Sequence, residues 1–291
     1  MSGFAEAQNV DWPSNRPCAW IDDAADRISP LGRLTAQRDL FRAQFASGKP
    51  YPHLVADGLF EDDVLDRVGE EFPRVGQRDW ITWDTRHEIK QTSRGIADLS
   101  PLTQLLFLQL CSEPFLEQLR YITGIPDLVW DPMFHGAGLH ESFRGGWLNV
   151  HSDWTRHPSL PLTRRLNLIV YLNRDWREEW GGNLDLVAPD TLEAGASVAP
   201  VFNRTVLFPT TAQTPHGFPK PLSCPADRSR KSISVYYWTA DREAVKEGSH
   251  ISFLPGFATT RARAFARSFV PPVLFDMARS VRSLLRAPKP S

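Results

Sequence analysis

Three cysteines in 291 residues, Cys18, Cys111 and Cys224, are too few and too widely separated for a disulfide framework or a zinc-ligand spacing. A reducing compartment, the cytoplasm, is the expectation that follows. Net charge is equally scarce. With 33 Lys and Arg against 34 Asp and Glu, the formal charge is −1, and no bulk field favours nucleic acid or an acidic membrane. No apolar run reaches the length of a membrane span. The opening MSGFAEAQNVDWPSNRP has no apolar stretch of the kind a secretory leader carries, so no leader is expected. Internal repeats and low-complexity stretches are also missing. Aromatics are plentiful: 10 Trp and 17 Phe suit a packed globular enzyme, and the length suffices for one large core or two modest domains.

Three segments alternate strictly and are read as half-buried strands. Trp147 to Asp153 carries Trp147, Asn149, His151 and Asp153 at odd positions. Arg165 to Leu172 places Leu166, Leu168, Val170 and Leu172 on one side, with Arg165, Asn167, Ile169 and Tyr171 on the other. Arg230 to Trp238 sets Ile233, Val235 and Tyr237 against Arg230, Ser232, Ser234 and Tyr236. The second faces are polar without being Lys- and Glu-rich, which suits the lining of a cavity better than a solvated surface. Within them, His151-Ser152-Asp153 points an imidazole and a carboxylate the same way, because residues i and i+2 share a face. One further histidine, His216, would complete a 2-His-1-carboxylate set with open metal positions, and Arg230 would hold the carboxylate of a co-substrate.

From Met133 to Thr239 the chain resembles the Fe(II)/2-oxoglutarate-dependent oxygenases of the prolyl-hydroxylase type. The matching stretches are GAGLHESFRGGWLNVHSDW, RRLNLIVYLNRDWREEWGGNLDL, RTVLFPTTAQTPHGF and RSRKSISVYYW, in the family's order. The resemblance implies a mainly β fold with flanking helices, a double-stranded β-helix (jelly-roll, cupin-like) braced by N-terminal helices. It implies that His151, Asp153 and His216 ligate Fe(II). It also implies that Arg230 and Tyr171 bind the far carboxylate of 2-oxoglutarate, with Asn167, Leu184 and Ser232 beside that co-substrate. The gap from His216 to Arg230 is longer than the family's, and Arg228 is the alternative to Arg230. The resemblance further implies O2 as the second co-substrate, with ascorbate as a candidate stimulant. The expected reaction is hydroxylation of an unactivated C–H bond, on a small molecule by preference. A peptidyl, prolyl-type hydroxylase and a non-catalytic metal-binding relative are the alternatives.

Residues 1–128 are expected to supply a lead and helical support within the same domain, 129–241 the oxygenase core, and 242–291 a basic helical tail. Helical spacing predicts helices over Thr35 to Phe45, Glu61 to Phe72 and Leu102 to Tyr121, with a short strand at Tyr51 to Val55. The tail carries Arg261, Arg263, Arg267, Arg279, Arg282 and Arg286. It is read as a docked terminal helix, or as a basic surface for an anionic partner. Lys90, Arg144, Trp147 and Trp154 are candidate substrate contacts. The polar stretch His87 to Arg94 is read as a solvated loop or, alternatively, a lid. His135, His140, His157 and His250 are read as structural or surface histidines, with His135 and His140 able to line the mouth.

Overall fold

The structure, a computed structural model, describes residues 27–72, 80–241 and 252–253. The chain opens with helices α1 (Leu31–Ala36) and α2 (Arg38–Ser47), strand β1 (Leu54–Asp57) and helix α3 (Asp62–Glu70). A hairpin of β2 (Ile81–Asp84) and β3 (Glu88–Thr92) precedes helices α4 (Pro101–Leu110) and α5 (Glu113–Thr123). The single helix expected over 102–121 is thus two. Ser112 starts a new helix whose second residue is Pro114, and proline can neither donate nor accommodate a preceding helical turn. Ser100 caps α4 by accepting from the Thr103 N–H, with Pro101 at the first turn.

The remainder is strand: β4 (Val129–Trp130), β5 (Gly138–Phe143), β6 (Trp147–Ser152), β7 (Leu162–Tyr171), β8 (Leu184–Val187), β9 (Ala194–Val198), β10 (Arg204–Pro209), β11 (His216–Phe218), β12 (Ser229–Ala240) and β13 (Ser252–Phe253). Hydrogen bonding runs in the order β1-β10-β7-β12-β5-β3-β6-β11-β8-β9. All these pairings are antiparallel, and β3 joins both β5 and β6. The larger half, β1-β10-β7-β12-β5, rolls through β3 into the smaller half, β6-β11-β8-β9. This is the jelly roll, a double-stranded β-helix, and the mainly β reading of the sequence holds. The stretch from His87 to Arg94, read as a loop or lid, is instead largely strand β3, with Glu88 buried. Its polar side chains concealed a pairing that only the two neighbouring strands reveal.

One apolar cluster joins the layers. Leu106, Phe107, Leu110, Phe115, Leu116 and Leu119 from α4 and α5 pack with Leu166, Leu168, Val170, Ile233, Val235 and Tyr237 from β7 and β12. Tyr237 Oη donates to the Leu110 carbonyl at 3.0 Å. The outer face of the large half is therefore closed by helices, and its inner face is left to polar residues. β13 pairs with β6, Phe253 opposite His151, so the sheet takes a strand from beyond the expected core boundary at 241. The terminal helix expected in the tail lies outside the described residues, as do the tail arginines. Among the described residues no helix is long and apolar enough to cross a membrane.

Candidate active site

Antiparallel pairing sets which side chains meet, because directly opposed residues share a face. His216 on β11 pairs with His151 on β6, which places their rings 4.6 Å apart between centroids. Asp153 follows β6, with Oδ1 3.3 Å from His151 Nε2 and Oδ2 3.7 Å from His216 Nε2. One donor atom from each of the three lies within 4.8 Å of the others. Each imidazole is held by its other nitrogen: His151 Nδ1 is 2.9 Å from the Asn149 carbonyl and His216 Nδ1 3.1 Å from the Thr214 carbonyl. A carbonyl only accepts, so Nδ1 carries the hydrogen and Nε2 keeps its lone pair.

The electrostatics suit metal binding. Burial, helped by the neighbouring His151, pushes His216 down to about 4, so the ring is neutral at pH 7. Burial alone would raise Asp153, but the lowering influence of His151, Arg164 and His216 beside it overcomes this and holds the carboxyl well below its usual range. Two imidazoles, each with Nδ1 tied to a carbonyl, and one carboxylate are the donor set that borderline divalent ions such as Fe(II) accept on one face. The residues present fit the ion.

Across the cavity, β12 and β7 supply the second group. Arg230 is 7 % exposed. Its Nε donates to the Gly182 carbonyl at 2.7 Å and its Nη2 to Tyr171 Oη at 3.0 Å. The guanidinium lies over the Phe218 ring at 4.3 Å. Among the described residues no carboxylate pairs with it, so a buried cation is left without a counter-charge. Burial holds its pKa below the ordinary value, and it raises that of the fully buried Tyr171 phenol, which stays a donor. Ser232 pairs with Tyr171 and with His140. Leu184 and Leu186 pack with Tyr171 in a small apolar cluster.

Asn167, expected beside the co-substrate, is hydrogen-bonded to Asp153. Its Nδ2 donates to Oδ2 at 2.6 Å, and Thr210 Oγ1 fixes the amide by donating to its Oδ1 at 3.0 Å. Lys90 projects from β3 into an ion pair with Glu88 at 2.9 Å. Trp154 stands against Arg164 and His135. Arg144 is exposed and reaches the Cys224 carbonyl at 3.3 Å. Trp147 is displaced by a bulge. β11 pairs His216 with His151 but Phe218 with Leu148, so β6 carries an extra residue and its alternation reverses. Leu148 shares the face of His151 and packs beside Phe218. Trp147 is buried on the opposite face.

Two residues at the site had no site role in the reading of the sequence or only a marginal one. His140, opposite Ser232, is driven by burial and by Lys90 to about 3 and is a neutral ring facing the cavity. Arg164 contacts Asp153 Oδ2 at 3.3 Å. The Arg164-Arg165 doublet was the available signal, since one of two adjacent residues must turn inward. Simple alternation from Leu166 selects Arg165. The register between β7 and β12 slips between Tyr237 opposite Leu166 and Trp238 opposite Arg164, and that bulge ejects Arg165 and turns Arg164 in.

The family model described as the 2OG-Fe(II) oxygenase superfamily matches residues 137–238. Over that stretch the chain is similar to the 2OG-Fe(II) oxygenase superfamily. The stretch contains the three metal-site donors together with Arg230 and Tyr171. Among solved structures, a prolyl hydroxylase from Trichoplax adhaerens, in complex with a peptide of the hypoxia inducible factor oxygen degradation domain, is 15% identical. The match covers 72% of this chain and 91% of that one at a TM-score of 0.53, which supports the fold. A prolyl-4-hydroxylase from Pseudomonas putida is 19% identical over 72% of this chain and 100% of that one, at 0.47. HygX from Streptomyces hygroscopicus, with nickel and 2-oxoglutarate bound, is 13% identical over 70% and 86%, at 0.45. Among proteins of curated function, none matches the chain.

Proposed function

We propose that the chain is an Fe(II)- and 2-oxoglutarate-dependent dioxygenase that hydroxylates an unactivated C–H bond of a small molecule. The observation that carries this reading is the meeting of His151, Asp153 and His216 on one point, with both Nε2 atoms turned toward the Asp153 carboxylate. In this reading the three residues hold Fe(II) on one face and leave the other positions open. A ferrous ion held there supplies the coupled chemistry in which O2 and 2-oxoglutarate give succinate and CO2, and the second oxygen atom enters the substrate C–H bond.

The protein's own part is orientation. Arg230 meets the far carboxylate of 2-oxoglutarate with a planar fork that suits a bidentate anion, and Tyr171 Oη adds a second donor. The co-substrate removes the cost of a buried, uncompensated guanidinium. Leu184 forms the apolar wall along its chain and Ser232 stands beside it. Lys90, His140 and Trp154 border the space left for the substrate. His151 and His216 are 4 % and 6 % exposed, so the reacting centre lies below the surface.

Anaerobic titration of the Fe(II)-loaded chain with 2-oxoglutarate tests the reading. A visible charge-transfer band is expected, and its absence in well-loaded protein would defeat the oxygenase assignment. Incubation with cell extract under labelled O2 then asks what gains an oxygen atom. A labelled small molecule supports the substrate class, whereas label appearing only in peptides points to the peptidyl alternative.

A further inference from the structure

Arg164 is 2 % exposed, and nothing in the reaction proposed above uses it. Its guanidinium lies 3.7 Å over the Tyr236 ring and 4.0 Å over that of Trp154, with Trp238 at 5.4 Å. Its Nη1 is 3.3 Å from Asp153 Oδ2, and its Nε is buried without an acceptor. Among the described residues Asp153 is the one carboxylate paired with it. Three rings clamp the cation beside that oxygen, and the β7 bulge fixes the backbone it departs from.

We propose that Arg164 is the resident counter-ion of the metal site: it balances Asp153 in the metal-free chain and opposes the metal that Asp153 binds. The inference rests on the reading that Asp153 is a metal ligand. Two charges compete for one carboxylate. Without metal, the guanidinium stabilises a buried anion that would otherwise be costly. With a dication on Oδ1, the same guanidinium is a fixed positive charge a few ångströms away in a site of low effective dielectric. The aromatic clamp prevents it from swinging aside. Arg164 and Asn167 together keep Oδ2 occupied, so Oδ1 is left as the single carboxylate donor and the ion retains open positions. Arg164 is in this sense a positioning residue, acting through Asp153.

The sign of the effect separates this role from a packing one. A residue that only shapes the site would weaken metal binding when removed. A resident counter-ion would tighten it. Mn(II) binding to the full chain, followed by the loss of the free-ion EPR signal, is the measurement, with thermal melting of the metal-free chain beside it. Arg164→Met is expected to bind Mn(II) about 10-fold more tightly, well within what Coulomb's law allows for one unit charge near a dication, and to melt at a lower temperature without metal. Arg164→Lys, which keeps the charge, is expected to bind close to the parent. Where Arg164→Met is recovered unfolded, Arg164→Gln retains an N–H donor without the charge and carries the same expectation of tighter binding. Unchanged or weaker Mn(II) binding in the folded neutral variant overturns the proposal. Asp153→Ala is the separate control. Loss of Mn(II) binding there leaves the role of Arg164 as the question under test. Parental binding there removes the ligand reading on which the role depends, and the proposal with it.

Discussion

At the scale of single residues, the chain's buried charges are the informative ones. Arg230 is an interior cation held by a carbonyl, a phenol and a ring, none of which carries a full negative charge. Removing one member of a desolvated charge pair costs about 2–5 kcal/mol of binding. Arg230→Met is therefore expected to lose that much 2-oxoglutarate affinity in the anaerobic titration while metal binding stays near the parent. Glu141 offers a pH test away from the proposed metal site. It is 2 % exposed, and burial raises its pKa from 4.5 to about 7 against the lowering effects of Ser229 and Lys231. The folded chain thus holds this proton more tightly than the unfolded chain. Its contribution to stability is complete below about 4.5 and is lost as pH rises through about 7. Glu141→Gln is expected to melt above the parent at pH 8 and to lose that advantage at pH 5, in paired melting curves. A difference that does not change with pH would show that the carboxyl is not titrating in place.

At the scale of elements, the turn before β8 shapes the end proposed for the co-substrate. Gly182 has φ +81, and a Cβ there would stand 2.6 Å from Leu222 Cδ2 and 3.1 Å from Arg230 Cδ. Both the backbone and the space require glycine. Gly182→Ala is expected to destabilise the fold by about 1–2 kcal/mol through the left-handed backbone alone. It is also expected to weaken 2-oxoglutarate binding, because its carbonyl and the Arg230 stem are what the new methyl displaces. Chemical denaturation and the anaerobic titration read the two effects. Parental affinity would mean that the turn does not position Arg230. The same scale explains what was legible. The alternation of β7 and β12 was visible in the sequence because one face of each meets the helices. The bulges in β6 and β7 were not, because a bulge is a mismatch between two strands and neither strand records it alone. For that reason Trp147 left its expected face and Arg164 took the place expected of Arg165.

At the scale of the whole molecule, helices and sheet share one core. Leu110 is fully buried and its carbonyl accepts from Tyr237 Oη, so α4 is tied to β12 by packing and by hydrogen bonding. Leu110→Ala is expected to cost about 2–5 kcal/mol, read as a fall in the denaturation midpoint. Residues 129–241 produced alone would expose Leu166, Leu168, Val170, Ile233, Val235 and Tyr237. They are expected to lack a cooperative melting transition, and a stable, cooperatively folding fragment would contradict the single core. Tyr51 adds another long link, donating from its hydroxyl to the Pro215 carbonyl at 2.9 Å beside His216.

The sequence by itself determined the donor types, the polar and apolar faces of the central strands, and the order in which the site residues occur. These are local properties: a period of two along a strand and a His-x-Asp step need no partner to be read. Tertiary structure decided the rest. It brought His216 opposite His151, made β3 from a stretch that looked like a loop, and joined Phe253 to the edge of β6. It also turned Arg164 rather than Arg165 toward Asp153. Each of these depends on register between segments distant along the chain, which is set by the packing of two faces at once and is written in no single stretch of residues.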